Sequence, residues 1–147
     1  MPVEIIALAT TVVTSFLLPY LQKGADEFLN EIASKSGINV AQHTLNVTKK
    51  IWERVKSVFS SEGEKITLGY FEKNPEKFKE EMQESLSTKL KNDQELVHYI
   101  SDLADSKLQG SEQTAAQIVT TTISVNVSRN IFKNKGDVNI TGKQSNG

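Results

Sequence analysis

The sequence predicts an all-α fold: a small helical bundle of about five helices, headed by an apolar N-terminal helix and followed by a β-prone C-terminal tail. Three observations carry this. No charged residue falls between Glu4 and Lys23. From Ala25 up to residue 109, apolar residues recur at the three- and four-residue spacing that marks one face of an α-helix. After Gly110 the chain turns to Thr, Val, Asn, Ser and Gly, and the apolar period becomes two.

The first element runs through Ile5, Ile6, Leu8, Val12, Val13, Phe16, Leu17 and Leu18. Its uncharged stretch reaches about the minimum of roughly 17 residues needed to span a bilayer. A secretory signal is not expected, because the chain opens Met-Pro-Val-Glu and Gln22-Lys23-Gly24 follows the run in place of a small-residue cleavage site. Thr10, Thr11, Thr14 and Ser15 dilute the hydrophobicity and Pro19 interrupts the donors, which argues against a permanent span. Two readings stay open together: a helix buried at the centre of the bundle, and one that leaves it for a membrane. The small residues Ala7, Ala9, Thr10, Thr14 and Ser15 allow close helix approach in either place.

A second helix is expected over 25–34, with Ala25, Phe28, Leu29, Ile32 and Ala33 on its apolar face and Gly37 as its cap. The third places Val40, Ala41, Leu45, Thr48, Ile51, Trp52, Val55, Val58 and Phe59 on one stripe. Lys49, Lys50, Arg54 and Lys56 outnumber Glu53 opposite, so this is a basic amphipathic helix. Ser60-Ser61-Glu62-Gly63 reads as a break, and a short segment over 65–73 leads to Asn74-Pro75-Glu76, a helix start with its cap, first-turn proline and acid. The helix that follows aligns Phe78, Met82, Leu86 and Leu90. Asn92-Asp93 starts the last, which buries Leu96, Val97, Ile100, Leu103, Ala104 and Leu108 and closes at Gly110.

This arithmetic divides the chain into a helical bundle domain, 1–109, and a β-prone or disordered tail, 110–147, with two short pseudo-repeats. Ser124-Val125-Asn126-Val127-Ser128 and Asp137-Val138-Asn139-Ile140-Thr141 share the pattern polar, Val, Asn, aliphatic, hydroxyl. One hairpin of that size cannot bury a core in water. It needs a docking surface or copies of itself, and Asn ladders with β-branched residues suit cross-β stacking.

Composition removes most chemistry. The 147 residues hold no cysteine and two histidines, which leaves no material for the usual zinc sites, disulfides or thiol nucleophiles. The net charge of −1 takes away the global electrostatic case for nucleic acid. Gly136 to Lys143 is a false phosphate loop, with five residues between glycines where four are needed. His43 and His98 read as ordinary helix residues. No catalytic, cofactor-binding or metal site is expected, and the protein is not expected to be an enzyme.

The layout resembles the small bacterial helical effector domains called Bell domains, analogues of the fungal HeLo-like cell-death domains. The resemblance rests on the uncharged first helix, the stretch Leu68-Gly69-Tyr70-Phe71-Glu72-Lys73-Asn74-Pro75-Glu76, the closing helix from Asp93-Gln94-Glu95-Leu96, and the Gly/Asn/Val tail. It implies a non-enzymatic innate-immunity effector, cytoplasmic at rest and membrane-associated when activated. It further implies that residues 5–18 permeabilise the membrane after an upstream receptor with a matching amyloid signalling motif has templated the tail. The templated residues would be Val125, Asn126, Val127, Val138, Asn139, Ile140 and Gly142. The tail departs from an aliphatic–Gln–aliphatic–Gly core, since Asn replaces Gln and Thr141 stands before Gly142. The expected partners are therefore further copies of the chain through the tail, membrane lipid on activation, and that receptor. The competing expectation is an adaptor that oligomerises through its tail without membrane activity.

Overall fold

In the computed structural model, the backbone is described for residues 2–123 and side chains for residues 5–123. Seven helices and no strand occur among the described residues. They are α1 over residues 2–23, α2 Ala25–Ser36, α3 Ile38–Val58, α4 Glu62–Lys73, α5 Pro75–Lys91, α6 Gln94–Ala104 and α7 Ala115–Thr122. The all-α expectation holds, with more helices than the five expected. Six fall before residue 109, and a seventh lies beyond it.

Single glycines part the first three helices. Gly24 (φ 87°) and Gly37 (φ 95°) each end one helix and begin the next. Their ψ values of 163° and 156° put both in a region that is essentially closed to residues with a Cβ. Gly37 thus acts as the expected cap and also as the start of α3. The 21 residues of α3 make it the scaffold helix, and its predicted face is buried through Ala41, Thr48, Ile51, Trp52 and Val55. Thr44 and Thr48 are fully buried because their hydroxyls donate to the carbonyls of Val40 and Thr44 at 2.9 Å.

The expected break at 60–63 is shorter than read: Ser60 and Ser61 lie between the helices, while Glu62 and Gly63 already belong to the first turn of α4. Ser61 Oγ accepts from the Glu64 N–H at 3.2 Å, and Glu64 Oε1 accepts from the Ser61 N–H at 3.1 Å. This reciprocal pair satisfies orphan donors and starts the helix despite Gly63. The Asn74-Pro75 start of α5 forms as expected, Asn74 Oδ1 accepting from Lys77 N–H at 3.4 Å. Met82, Leu86 and Leu90 are buried, while Phe78 sits half-exposed at a kink (φ −107°, ψ 17°) and stacks on Tyr70 at 5.1 Å. Asp93 caps α6 through Leu96 N–H at 3.0 Å. That helix stops at Ala104, not at Gly110; Gly110 lies in the following loop.

The largest departure is α7. Thr120, Thr121 and Thr122 have β propensity, yet they form its last turn. Thr114 and Gln117 make a second reciprocal cap at 3.1 Å and 2.9 Å. Ala115, Ile118, Val119 and Ile123 are buried in the core, so tertiary burial outweighs a propensity worth a few tenths of a kcal/mol per residue. Thr121 and Thr122 return their hydroxyls to the carbonyls of Gln117 and Ile118 at 3.0 Å and 2.7 Å. Lys35 Nζ donates to the Thr122 carbonyl at 3.2 Å, placing a cation at the negative end of the helix.

Candidate membrane-active helix and its surroundings

One helix among the described residues is long and apolar enough to cross a membrane: Ile5–Lys23, 19 residues with a mean hydropathy of 1.6. Of its most apolar window, 44% is buried inside the bundle, and a buried core helix passes the same test. The eight residues singled out on this helix divide into two environments. Val12, Val13, Phe16, Leu17 and Leu18 have no solvent exposure. Ile5 and Leu8 are half-buried, and Ile6 is 53% exposed.

The buried half has an unusual backbone. Thr11–Leu17 is a π-helix between the α-helical stretches Pro2–Thr10 and Leu18–Lys23, and the Leu18 N–H donates to the Val13 carbonyl. Proline lacks the donor that an α-helix needs at position 19, and its ring would press on the carbonyl four residues back. The wider π register ahead of Pro19 lets the chain pass it without breaking the helix. Thr14 Oγ1 donates to the Thr10 carbonyl at 2.7 Å across the junction of the two registers.

Neighbours cover α1 unevenly. The α-helical ends lie against α5, the C-terminal end also meets α2, and the π stretch is wedged between α3, α5 and α7. At the C-terminal end, Tyr20 meets Phe28 edge-on at 5.9 Å, and Lys23 pairs with Glu31 at 3.0 Å. At the N-terminal end one side is open. A cavity of about 530 Å³ separates Ile5, Ala7, Leu8 and Thr11 from Gln94, Val97, His98 and Ser101 of α6. A second, of about 590 Å³, continues past Thr11 along Ala116, Gln117, Thr120 and Thr121 of α7. The helix is therefore bolted in by its middle and free along one flank of its start.

The stretch 68–76 that carries the family resemblance is the junction of α4 and α5. Phe71 is fully buried beside Trp52, ring centres 6.4 Å apart, and Asn74 caps α5. Glu64, in the first turn of α4, is held by Lys89 Nζ at 2.8 Å and by the Ser60 and Ser61 N–H groups at 3.1 Å. The Lys89 hydrogen bond first, then that from the Ser61 backbone, pushes its carboxyl down to about 2. This ion pair ties α4 to α5, the helix against which α1 lies.

Sequence reasoning did not find the α7 cap or the residues that face α1 across the groove. The Thr114-x-x-Gln117 spacing was a usable signal; the groove had none, because it depends on how α6 crosses α1. His43 bonds through Nε2 to Ser106 Oγ at 3.0 Å, while His98 lies exposed at the groove edge. Among the described residues no group of three His, Asp or Glu side chains is arranged to hold a metal ion. The assembly residues Val125, Asn126, Val127, Val138, Asn139, Ile140 and Gly142, and the two pseudo-repeats, lie outside the described residues. No protein-family model matches the chain, nor does any curated protein or solved structure compared with it.

Proposed function

We propose that the protein is a membrane-targeting cell-death or immune effector of the Bell, HeLo-like type, without enzymatic activity. Its N-terminal helix inserts into the membrane after the tail has assembled. One observation carries the reading: α7, at the start of the tail, packs on the π-helical middle of α1 and directly precedes the two pseudo-repeats in the sequence. In this reading the resting protein is cytoplasmic. An upstream receptor with a matching amyloid motif templates the tail, copies of the chain join through it, and the pull on α7 removes one wall of the site holding Val12, Phe16 and Leu17. The open flank at Ile5, Ile6 and Leu8 then enters the lipid first.

Dye release from phosphatidylglycerol-containing vesicles by the full chain, with thioflavin T fluorescence following the tail, tests this. Ile6→Asp and Leu8→Lys alter the open flank and leave the fully buried half of α1 intact. The expected result is leakage by the parent protein on tail assembly, lost in both variants while circular dichroism and assembly persist. Leakage that persists in both variants overturns the reading. Assembly of the parent protein with no leakage also overturns it, and leaves the adaptor.

A further inference from the structure

A second surface, on α3, carries an excess of basic residues. Lys49 and Lys50 are exposed, and with Glu53, half-buried Arg54, Ser57 and Tyr99 of α6 they line an open concavity of about 270 Å³. Its charges are unbalanced. The one acid, Glu53, is engaged by Lys56 at 3.4 Å, whereas Lys49, Lys50 and Arg54 form no ion pair among the described residues. Arg54 is also held in place, its guanidinium carbon 3.9 Å from the centre of the Tyr99 ring. A cation fixed over an aromatic face loses little further freedom on binding an anion, and two mobile lysines beside it add charge without fixed geometry.

We infer that this patch docks the folded protein on an anionic phospholipid surface, with a headgroup phosphate seated between Lys49, Lys50 and Arg54. Three features favour a membrane over other anions. The chain is close to neutral overall, so the attraction is confined to one small face and acts only within a Debye length of a charged surface. The basic residues occupy about two turns of helix, too short a track for the run of phosphates that non-specific nucleic-acid binding uses. And α6 lies between the two surfaces: Tyr99 bounds the basic concavity, while Gln94, Val97 and His98 bound the groove that leaves the start of α1 open. A bundle docked through α3 thus keeps that open flank one helix away from the docking face.

The inference goes beyond insertion and amends that reading at one point: the resting bundle is held reversibly on the cytoplasmic side of an anionic membrane instead of staying free in the cytoplasm. The test is flotation of the full-length protein, before tail assembly, with vesicles of phosphatidylcholine alone or with phosphatidylglycerol added. Binding is expected only with the anionic lipid, weakening as salt rises. Lys49→Glu with Lys50→Glu should lower partitioning by roughly tenfold or more, because each basic residue near such a surface contributes several-fold. Lys65→Glu with Lys73→Glu, the same charge change at exposed sites on α4, should have a smaller effect. Equal losses in the two pairs overturn the site, as does binding that ignores lipid charge. Inorganic phosphate that displaces the protein no better than chloride of equal ionic strength supports the membrane assignment. Specific displacement by phosphate makes the concavity a site for a soluble anion and overturns it. Should the glutamate pair fail to fold, Lys49→Gln with Lys50→Gln reads the same loss at smaller size. Leakage lost in Ile6→Asp and flotation lost in the α3 pair are separate readouts, so either idea can fail alone.

Discussion

Helices α1 and α3 are of nearly equal length and both reach the centre of the bundle, yet they are buried on different grounds. In α3 the polar and apolar residues are segregated, so Ile51, Trp52 and Val55 go inward and Lys49, Lys50 and Lys56 stay in water. In α1 nearly every side is apolar, and its surroundings decide which residues are covered: Val12 and Phe16 lose all exposure while Ile6 keeps half. The contrast teaches that segregation commits a helix to one orientation in one solvent, whereas an unsegregated helix is stable wherever apolar neighbours, protein or lipid, surround it.

The largest expected effect lies inside α1. Phe16→Ala should cost about 3–5 kcal/mol in urea unfolding, against less than about 1 kcal/mol for Ile6→Ala, because only the first leaves a cavity in a packed core. Similar costs would erase the distinction between its two halves. Next come the joints flanking both helices' ends. Gly24→Ala and Gly37→Ala should each destabilise by about 1–3 kcal/mol through backbone strain alone, since open space surrounds the Cβ position at both. Gly69→Ala, in α4 at ordinary helical φ, should be neutral or stabilise by up to about 1 kcal/mol. A loss at Gly69 equal to that at Gly24 would move the cause from backbone to packing.

The smallest effect concerns the strut between α4 and α5. The Glu64 carboxyl titrates near 2 in the folded chain, below its ordinary 4.5. Its contribution is therefore present above about pH 4.5 and is lost as pH falls through 4.5 toward 2. Glu64→Gln should flatten the stability profile in that window and leave the neutral-to-alkaline side unchanged in shape. Ser61→Ala, which removes the cap's hydroxyl, should cost about 0.5–2 kcal/mol across the whole range.

Much of the helical fold was legible because local chemistry and tertiary demand agree. The stripes of α2 and α3, the Asn74-Pro75 start of α5 and the Asp93 cap of α6 each name their own position. The errors fell where local signals disagreed with burial. Gly63 masked the Ser61–Glu64 cap, and the threonines at the end of α7 suggested strand until Ile118, Val119 and Ile123 found a core to enter. For the candidate site, the eight α1 residues were visible as one uncharged run, but their division into a bolted middle and an open flank was not.

By itself, the sequence determined that this chain is helical through its first hundred residues, that its first helix is apolar on all sides, and that α3 turns a basic face to water. Periodicity, capping residues and charge placement are properties of neighbours along the chain, so they can be read there. Only the tertiary structure decided that α7 closes over the middle of α1, that Pro19 is passed in π register, and that Tyr99 holds Arg54 in place. Those outcomes depend on contacts between residues far apart in sequence, and an apolar helix with no preferred face carries no instruction about which of its sides will be covered.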